Sequence, residues 1–294
     1  QTDNVTVNVG ESPDSTQQLS DPVTFVGLPA TVVLEGVQDG VRYYLLPDTS
    51  ASTEDSIGSS KVGEPTSSTS LNFTVPADSL QEGQNVFSVL AINETDDGGG
   101  CSLFLLDSAV VQVLPAPDSS FTQVMDLCPG DTAIYRADYT GIGQGFPIRY
   151  SWSLGTGIGE IIGPNDADSV RVYWPEGGND EVTLAIVVET PEGNVASDST
   201  QTITVYEAVS FLGASAQDTL EICQNGLNAF DDFILPEAAP AGGQWRGTGV
   251  TNVSNGVVDV NQFGSPLPRT FVYTSPNGCV DSVFVSAKRN YVGP

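Results

Sequence analysis

The chain has no histidine. The Ser/His/Asp and Cys/His constellations of nucleophilic hydrolysis are therefore closed to it, as is imidazole ligation of a metal. Basic residues are scarce: 9 Lys and Arg stand against 37 Asp and Glu, for a net charge of −28. Such a surface repels nucleic acid and anionic membranes, so neither is expected as a partner. No apolar run approaches the length that crosses a bilayer, and membrane insertion is not expected. Convincing amphipathic helices and lipidation motifs are absent. No leader is visible, and residue 1 is Gln rather than Met, as expected of a trimmed or excerpted exported protein. Carboxylates abound, yet none forms a recognisable acid/base pair in a pocket-forming context. The glycine-rich stretch Gly155-Thr156-Gly157-Ile158-Gly159 lacks the following helix and lysine of a phosphate loop and reads as a turn. An enzyme is not expected.

What is present is strand. Short β-branched and aromatic runs alternate with Gly, Pro, Asn and Asp clusters. Ala30-Thr31-Val32-Val33-Leu34, Val41-Arg42-Tyr43-Tyr44-Leu45-Leu46 and Ser70-Leu71-Asn72-Phe73-Thr74-Val75 lead to a hairpin over 85–113, and Leu114-Pro115-Ala116-Pro117 marks a boundary. A second series contains Ile134-Tyr135, Tyr150-Ser151-Trp152 and Val170-Arg171-Val172-Tyr173-Trp174, closing in a hairpin over 182–205. A third runs through Gln244-Trp245-Arg246 to Thr270-Phe271-Val272-Tyr273 and Ser282-Val283-Phe284-Val285. Each series has the length and strand number of an Ig-like sandwich. The expected fold class is all-β, tandem Ig-like/PKD-like β-sandwiches. Expected boundaries are a 1–20 strand or linker, an Ig-like domain at 21–116, a PKD-like domain at 117–206 and an Ig-like domain at 207–290. Residues 1–9 look like the last strand of a preceding repeat that could complete a neighbour's sheet.

Tyr150-Ser151-Trp152 after Cys128-Pro129-Gly130-Asp131-Thr132 resembles the PKD-like domains of Bacteroidota surface proteins. Gly242-Gly243-Gln244-Trp245-Arg246-Gly247-Thr248-Gly249-Val250, with Gly278-Cys279 downstream, is similar to the Ig-like repeats of giant adhesins and gliding-motility proteins from that phylum. The resemblance covers 118–290 well and the first domain more loosely. It implies an extracellular, cell-surface location and export by the type IX system.

Four cysteines fall at two kinds of position. Cys128 and Cys223 sit in the turn after a sandwich's first strand, at the pole where the chain leaves. Cys101 and Cys279 sit before the last strand, at the pole where it arrives. A strand's length, about 25 Å, separates these poles, whereas a disulfide needs Cα atoms within about 7 Å. The expected pairing is Cys128 with Cys279 across the junction of the second and third domains. Cys101 and Cys223 are left for bonds between copies or repeats. The first junction lacks both members, having Gly27-Leu28-Pro29-Ala30 and Pro191-Glu192-Gly193-Asn194 instead. The alternative is Cys223–Cys279 within the third domain, with Cys101 and Cys128 reduced or joined.

Asp-Ser/Thr followed by Ala, Ile, Leu, Met, Val or Thr, the O-glycosylation motif of that phylum, occurs at Ser15, Ser56, Ser79, Ser108, Thr132, Ser169, Ser199, Thr219 and Ser282. Composition alone accounts for roughly two such sites; the competing reading is ordinary turn and cap residues. The acidic groups Glu94, Asp96, Asp97 and Asn165, Asp166, Asp168 carry the oxygen ligands that calcium takes, though without an EF-hand pattern, and solvated loops are the other reading. Trp152, Trp174 and Trp245 are core in most sandwiches and could otherwise stack on sugars.

The expected function is a structural or adhesive segment of a secreted cell-surface adhesin or filamentous appendage. Its partners would be copies of itself, adjacent repeats, or a surface glycan or protein receptor. The alternative is a carbohydrate- or protein-binding accessory module of a secreted hydrolase.

Overall fold

A computed structural model describes residues 12–63, 69–93, 100–139, 145–155, 157–213, 219–224, 232–262 and 268–289. The fold is all-β, a tandem of Ig-like sandwiches. The first contains β1 (Val23–Phe25), β2 (Ala30–Glu35), β3 (Val41–Leu46), β4 (Lys61–Val62), β5 (Ser70–Val75), β6 (Gly83–Asn93) and β7 (Cys101–Leu114). Its sheets are β1-β7-β6-β3-β4 and β2-β5. The pairing of β2 with β5 sets Ala30 opposite Val75, Val32 opposite Phe73 and Leu34 opposite Leu71. Alternate residues therefore point inward, and Ala30, Val32, Leu34, Tyr43, Leu45, Phe73, Val75, Val89 and Val111 form one buried core. At about 25 cal/mol per Å² of apolar surface, such burial is the dominant stabilising term.

The second sandwich contains β8 (Asp131–Arg136), β9 (Ile148–Leu154), β10 (Glu160–Ile161), β11 (Ser169–Trp174), β12 (Gly178–Thr190) and β13 (Gly193–Val205) in sheets β10-β11-β8 and β13-β12-β9. The third has β14 (Ser210–Phe211), β15 (Thr219–Gln224), β16 (Phe233–Ile234), β17 (Ala238–Ala239), β18 (Gln244–Arg246), β19 (Val250–Asn252), β20 (Val257–Val258), β21 (Arg269–Thr274) and β22 (Val280–Arg289). Its main sheets are β15-β22-β21-β18 and β16-β20-β19, and β14 pairs with β17.

One pairing recurs and fixes the polarity of each sandwich. An early segment runs parallel to the last strand in each: Phe25 of β1 pairs with Leu114, Leu127 with Val205, and Cys223 of β15 with Lys288. Each of these segments therefore ends level with the end of the last strand. The hairpin turn before the last strand lies one strand length away.

By contacts the chain divides into two compact units, 1–118 with 141–149 and 186–197, and 119–140 with 150–185 and 198–294. The first sandwich begins before the expected residue 21. The Leu106 N–H donates to the Ser15 carbonyl, Glu35 N–H to Gln18 and Ser20 N–H to Val33, each at 2.9 Å. The strand expected at residues 1–9 lies outside the described residues.

Candidate functional site: the disulfide-linked poles

The second unit contains a covalent bond between two turns. Cys128 follows Leu127, whose carbonyl accepts the Tyr206 N–H at 2.8 Å at the end of the last strand of the second sandwich. The turn then closes on itself. Asp131 donates its N–H to the Cys128 carbonyl at 3.0 Å, and its carboxylate accepts the Cys128 N–H at 2.7 Å. Gly130, at φ 90°, supplies the left-handed residue that lets its N–H reach the Trp174 carbonyl at 2.7 Å. On the flank, the Tyr206 hydroxyl donates to Asp126 at 2.9 Å, and this hydrogen bond to a carboxylate pushes the Tyr206 phenol up.

Cys279 sits in an equally defined turn. The Gly278 N–H donates to the Ser275 carbonyl at 3.0 Å, and the Ser275 N–H donates to the Cys279 carbonyl at 2.8 Å. The Ser275 hydroxyl accepts the Cys279 N–H at 3.1 Å, with both residues buried. Cys128 and Cys279 are joined as a disulfide with a Cα–Cα distance of 5.5 Å, closing a loop whose ends are 151 residues apart.

The rival bond within the third sandwich is ruled out by backbone register. Cys223 is paired opposite Lys288, near the end of the ten-residue β22, while Cys279 immediately precedes the first residue of that strand. About 30 Å of strand separates the two positions, far beyond disulfide reach. Cys101 is exposed and is the first residue of β7, opposite Asn93. The Cys223 side chain lies outside the described part of the molecule.

The positions that lack cysteine meet in the first unit. A Cβ built on Gly193 would stand 3.4 Å from a Leu28 methyl carbon. The Gly193 carbonyl accepts the Thr190 hydroxyl at 2.8 Å, and the Leu28 N–H donates to Phe25 at 3.0 Å. Beside them the Phe25 and Phe146 rings lie 6.0 Å apart between centroids. In the same unit Arg149 pairs with Glu189 across exposed surface, a contact of small energetic value. Apolar packing fills the position that sulfur fills in the second unit.

The other sequence candidates resolve individually. Trp152, Trp174 and Trp245 are 1%, 0% and 2% exposed, so none offers a ring face to a sugar. Each indole is core, as Phe121 edge-on to Trp152 and Phe211 stacked on Trp245 show. Within the glycine-rich stretch, Ile158 and Gly159 donate their N–H groups at 3.1 and 3.2 Å to Asp180, a buried carboxylate that also accepts the Glu181 N–H at 2.8 Å. The sequence reading passed over Asp180. The signal was there, because it occupies the inward phase of β12 shared by Val182, Leu184, Ile186 and Val188.

In the group at 165–168, the Asn165 amide donates to the Trp152 carbonyl at 3.1 Å, and Asp168 accepts the Ser169 hydroxyl at 3.2 Å. Glu94, Asp96 and Asp97 lie outside the described residues. Among the described residues no group of three or more His, Cys, Asp or Glu side chains could hold a metal ion, and no helix is long and apolar enough to cross a membrane. Of the Asp-Ser/Thr sites, Ser79 and Thr132 are exposed, whereas Ser15, Ser56, Ser108, Ser169, Ser199 and Ser282 are half-buried. Ser199 donates to the Ser119 carbonyl, and the Ser108 and Ser282 N–H groups donate to the carboxylates before them. The Thr219 side chain lies outside the described part.

No protein-family model and no curated protein matches the chain. Solved structures do resemble it. The I9–I11 tandem of titin is 8% identical over 93% of this chain and 97% of that one, with a TM-score of 0.36. A marsupial T cell receptor is 8% identical over 92% and 98%, with a TM-score of 0.38. Mouse cadherin-23 EC22-24 is 15% identical over 94% and 99%, with a TM-score of 0.28. Likenesses this distant do not extend to function. The strand order and the linked poles define the class: a disulfide-linked tandem of Ig-like sandwiches.

Proposed function

We propose that the chain is a structural, tension-carrying segment of an extracellular adhesin or surface appendage. The observation that carries this reading is the disulfide between Cys128 and Cys279, which ties a turn of the second sandwich to a turn of the third. A bond placed there limits bending between the two sandwiches. It also takes the enclosed chain out of the path of a force applied at the termini, because tension passes through sulfur. Persistence of such a bond fits an oxidising, extracellular setting. The net charge of −28 keeps such a surface soluble. The resemblance of 118–290 to repeats of Bacteroidota surface proteins supports the same setting and, with it, type IX export and O-glycosylation, for which the exposed Ser79 and Thr132 are the best-presented acceptors.

Single-molecule stretching of the monomer between its termini tests this. With the disulfide intact, full extension should fall short of the reduced protein's by about 540 Å, from a separation of 151 residues at ~3.6 Å each. Equal extensions before and after reduction would overturn the reading.

A further inference from the structure

The third sandwich carries a cleft that the linked poles do not use. Its volume is about 350 Å³, within the range of ligand sites. Buried Trp245 and Tyr273 line it together with Ile234, Ala238 and Ala241. Both lips are tied to the core. On one, the Tyr273 hydroxyl donates to the Pro240 carbonyl at 2.8 Å and accepts the Gly243 N–H at 2.7 Å, which fixes the loop bearing Ala241. On the other, the Asn252 carboxamide oxygen accepts the Ser254 and Asn255 N–H groups at 3.1 Å each. Gly256, at φ 64°, packs so closely behind that turn that an added Cβ would stand 2.9 Å from the Trp245 ring. The cleft is thus preformed. Glu237 is the one charged residue lining it. The Glu237, Ser254 and Asn255 side chains are exposed and have no hydrogen-bond partner among the described residues. Each can present an acceptor oxygen.

We propose that this cleft receives the side chain of a lysine carried by a partner protein. An ammonium has three donors and no acceptor, which matches the oxygens offered by Glu237, Ser254 and Asn255. The aliphatic stem lies along Ile234 and Ala241, as lysine buries its methylenes while its head stays wet. The chain's net charge of −28 attracts basic partners, and only 9 Lys and Arg of its own compete for the carboxylates. The occupant is a protein rather than a free amine, because Ile234 and Leu212 are 67% and 74% exposed beside the cleft. The Leu212 N–H donates to the Glu237 carbonyl at 2.8 Å, so apolar surface adjoins the carboxylate and suits residues flanking the lysine. The inference goes beyond the tension-carrying reading, which needs no such cleft.

Three probes titrated into the isotope-labelled chain and followed by amide NMR test this: acetyl-Leu-Lys-Leu-amide, its norleucine counterpart acetyl-Leu-norleucine-Leu-amide, and n-butylammonium. The lysine peptide should bind saturably and shift the Ala241, Gly242, Ser254 and Asn255 amides. The norleucine peptide should bind about tenfold more weakly, since it lacks the charge-assisted donors. n-Butylammonium, which lacks the apolar flanks, should also bind more weakly than the lysine peptide. Glu237→Gln should weaken the lysine peptide by about threefold, the scale of an exposed charge pair. Ala241→Trp, at an exposed loop position, should fill the cleft and abolish binding. The comparison of probes needs no variant and decides by itself. No saturable shift at those amides, a norleucine peptide that binds as tightly, or n-butylammonium that matches the lysine peptide would overturn the proposal.

Discussion

The two units solve the same joining problem differently. In the first, Leu28 lies against Gly193 and Phe25 lies near Phe146, and dispersion and apolar burial hold them. In the second, Cys128 and Cys279 meet as a disulfide, each on a turn tied by its own hydrogen bonds. A packed contact opens whenever its local free energy is overcome, whereas a disulfide stays closed until it is reduced. The comparison teaches that one junction is closed covalently and the other by packing that can open and re-form.

The largest effect should come from removing the bond. On the chain-entropy account, a loop closed across 151 residues stabilises the folded state by about 5 kcal/mol. Cys128→Ser with Cys279→Ser should lower the denaturation midpoint of the second unit, followed by tryptophan fluorescence, and leave the first unit unchanged. A midpoint shift of equal size in both units would erase the distinction between them.

The packed junction should yield less. Gly193 has φ 144° and no room beyond the Leu28 methyl. Gly193→Leu should destabilise the first unit by about 1–3 kcal/mol through strain and overpacking. Leu28→Ala should cost about 1–2 kcal/mol from the lost apolar contact of a half-buried side chain. Limited proteolysis of the first unit reads both, and unchanged cleavage would show that the contact carries no load.

Smaller again is the support under the sulfur. Asp131→Ala removes the carboxylate that accepts the Cys128 N–H and should cost about 1 kcal/mol. It should also make the disulfide easier to reduce, measured as the rate of reduction at fixed dithiothreitol. An unchanged rate would place the turn's order elsewhere.

The smallest effect is alkaline. Burial pushes the Tyr135 phenol, on the strand after the Cys128 turn, up to about 12. The folded state therefore prefers the neutral phenol. Its contribution is complete below the ordinary value near 10 and is lost as pH rises through about 12. Tyr135→Phe should flatten the stability profile of the second unit above pH 10, and an unchanged slope would refute the assignment.

Much of this was legible in the sequence because sandwiches write their inward faces as alternation. Val32, Leu34, Phe73 and Val75 announce a buried pair of strands, and Trp152 and Trp245 announce two cores. The disulfide was legible for a different reason: strand length forbids the rival pair, so geometry decides what spacing alone cannot. What escaped were features made by chain segments distant in sequence. Residues 15–20 join the first sandwich through backbone hydrogen bonds to 33–35 and 106, which no local pattern signals. Asp180 reads as a surface acid until the phase of β12 places it among Val182 and Leu184. Leu28 against Gly193 was visible as two missing cysteines, but the packing that replaces them was not.

Nonreducing proteolysis of the purified monomer, with mass spectrometry of the linked peptides, tests the central claim most directly. A peptide joining Cys128 to Cys279 is the predicted product. A peptide joining Cys223 to Cys279 would contradict the parallel register of β15 on β22 and remove the covalent tie between the sandwiches.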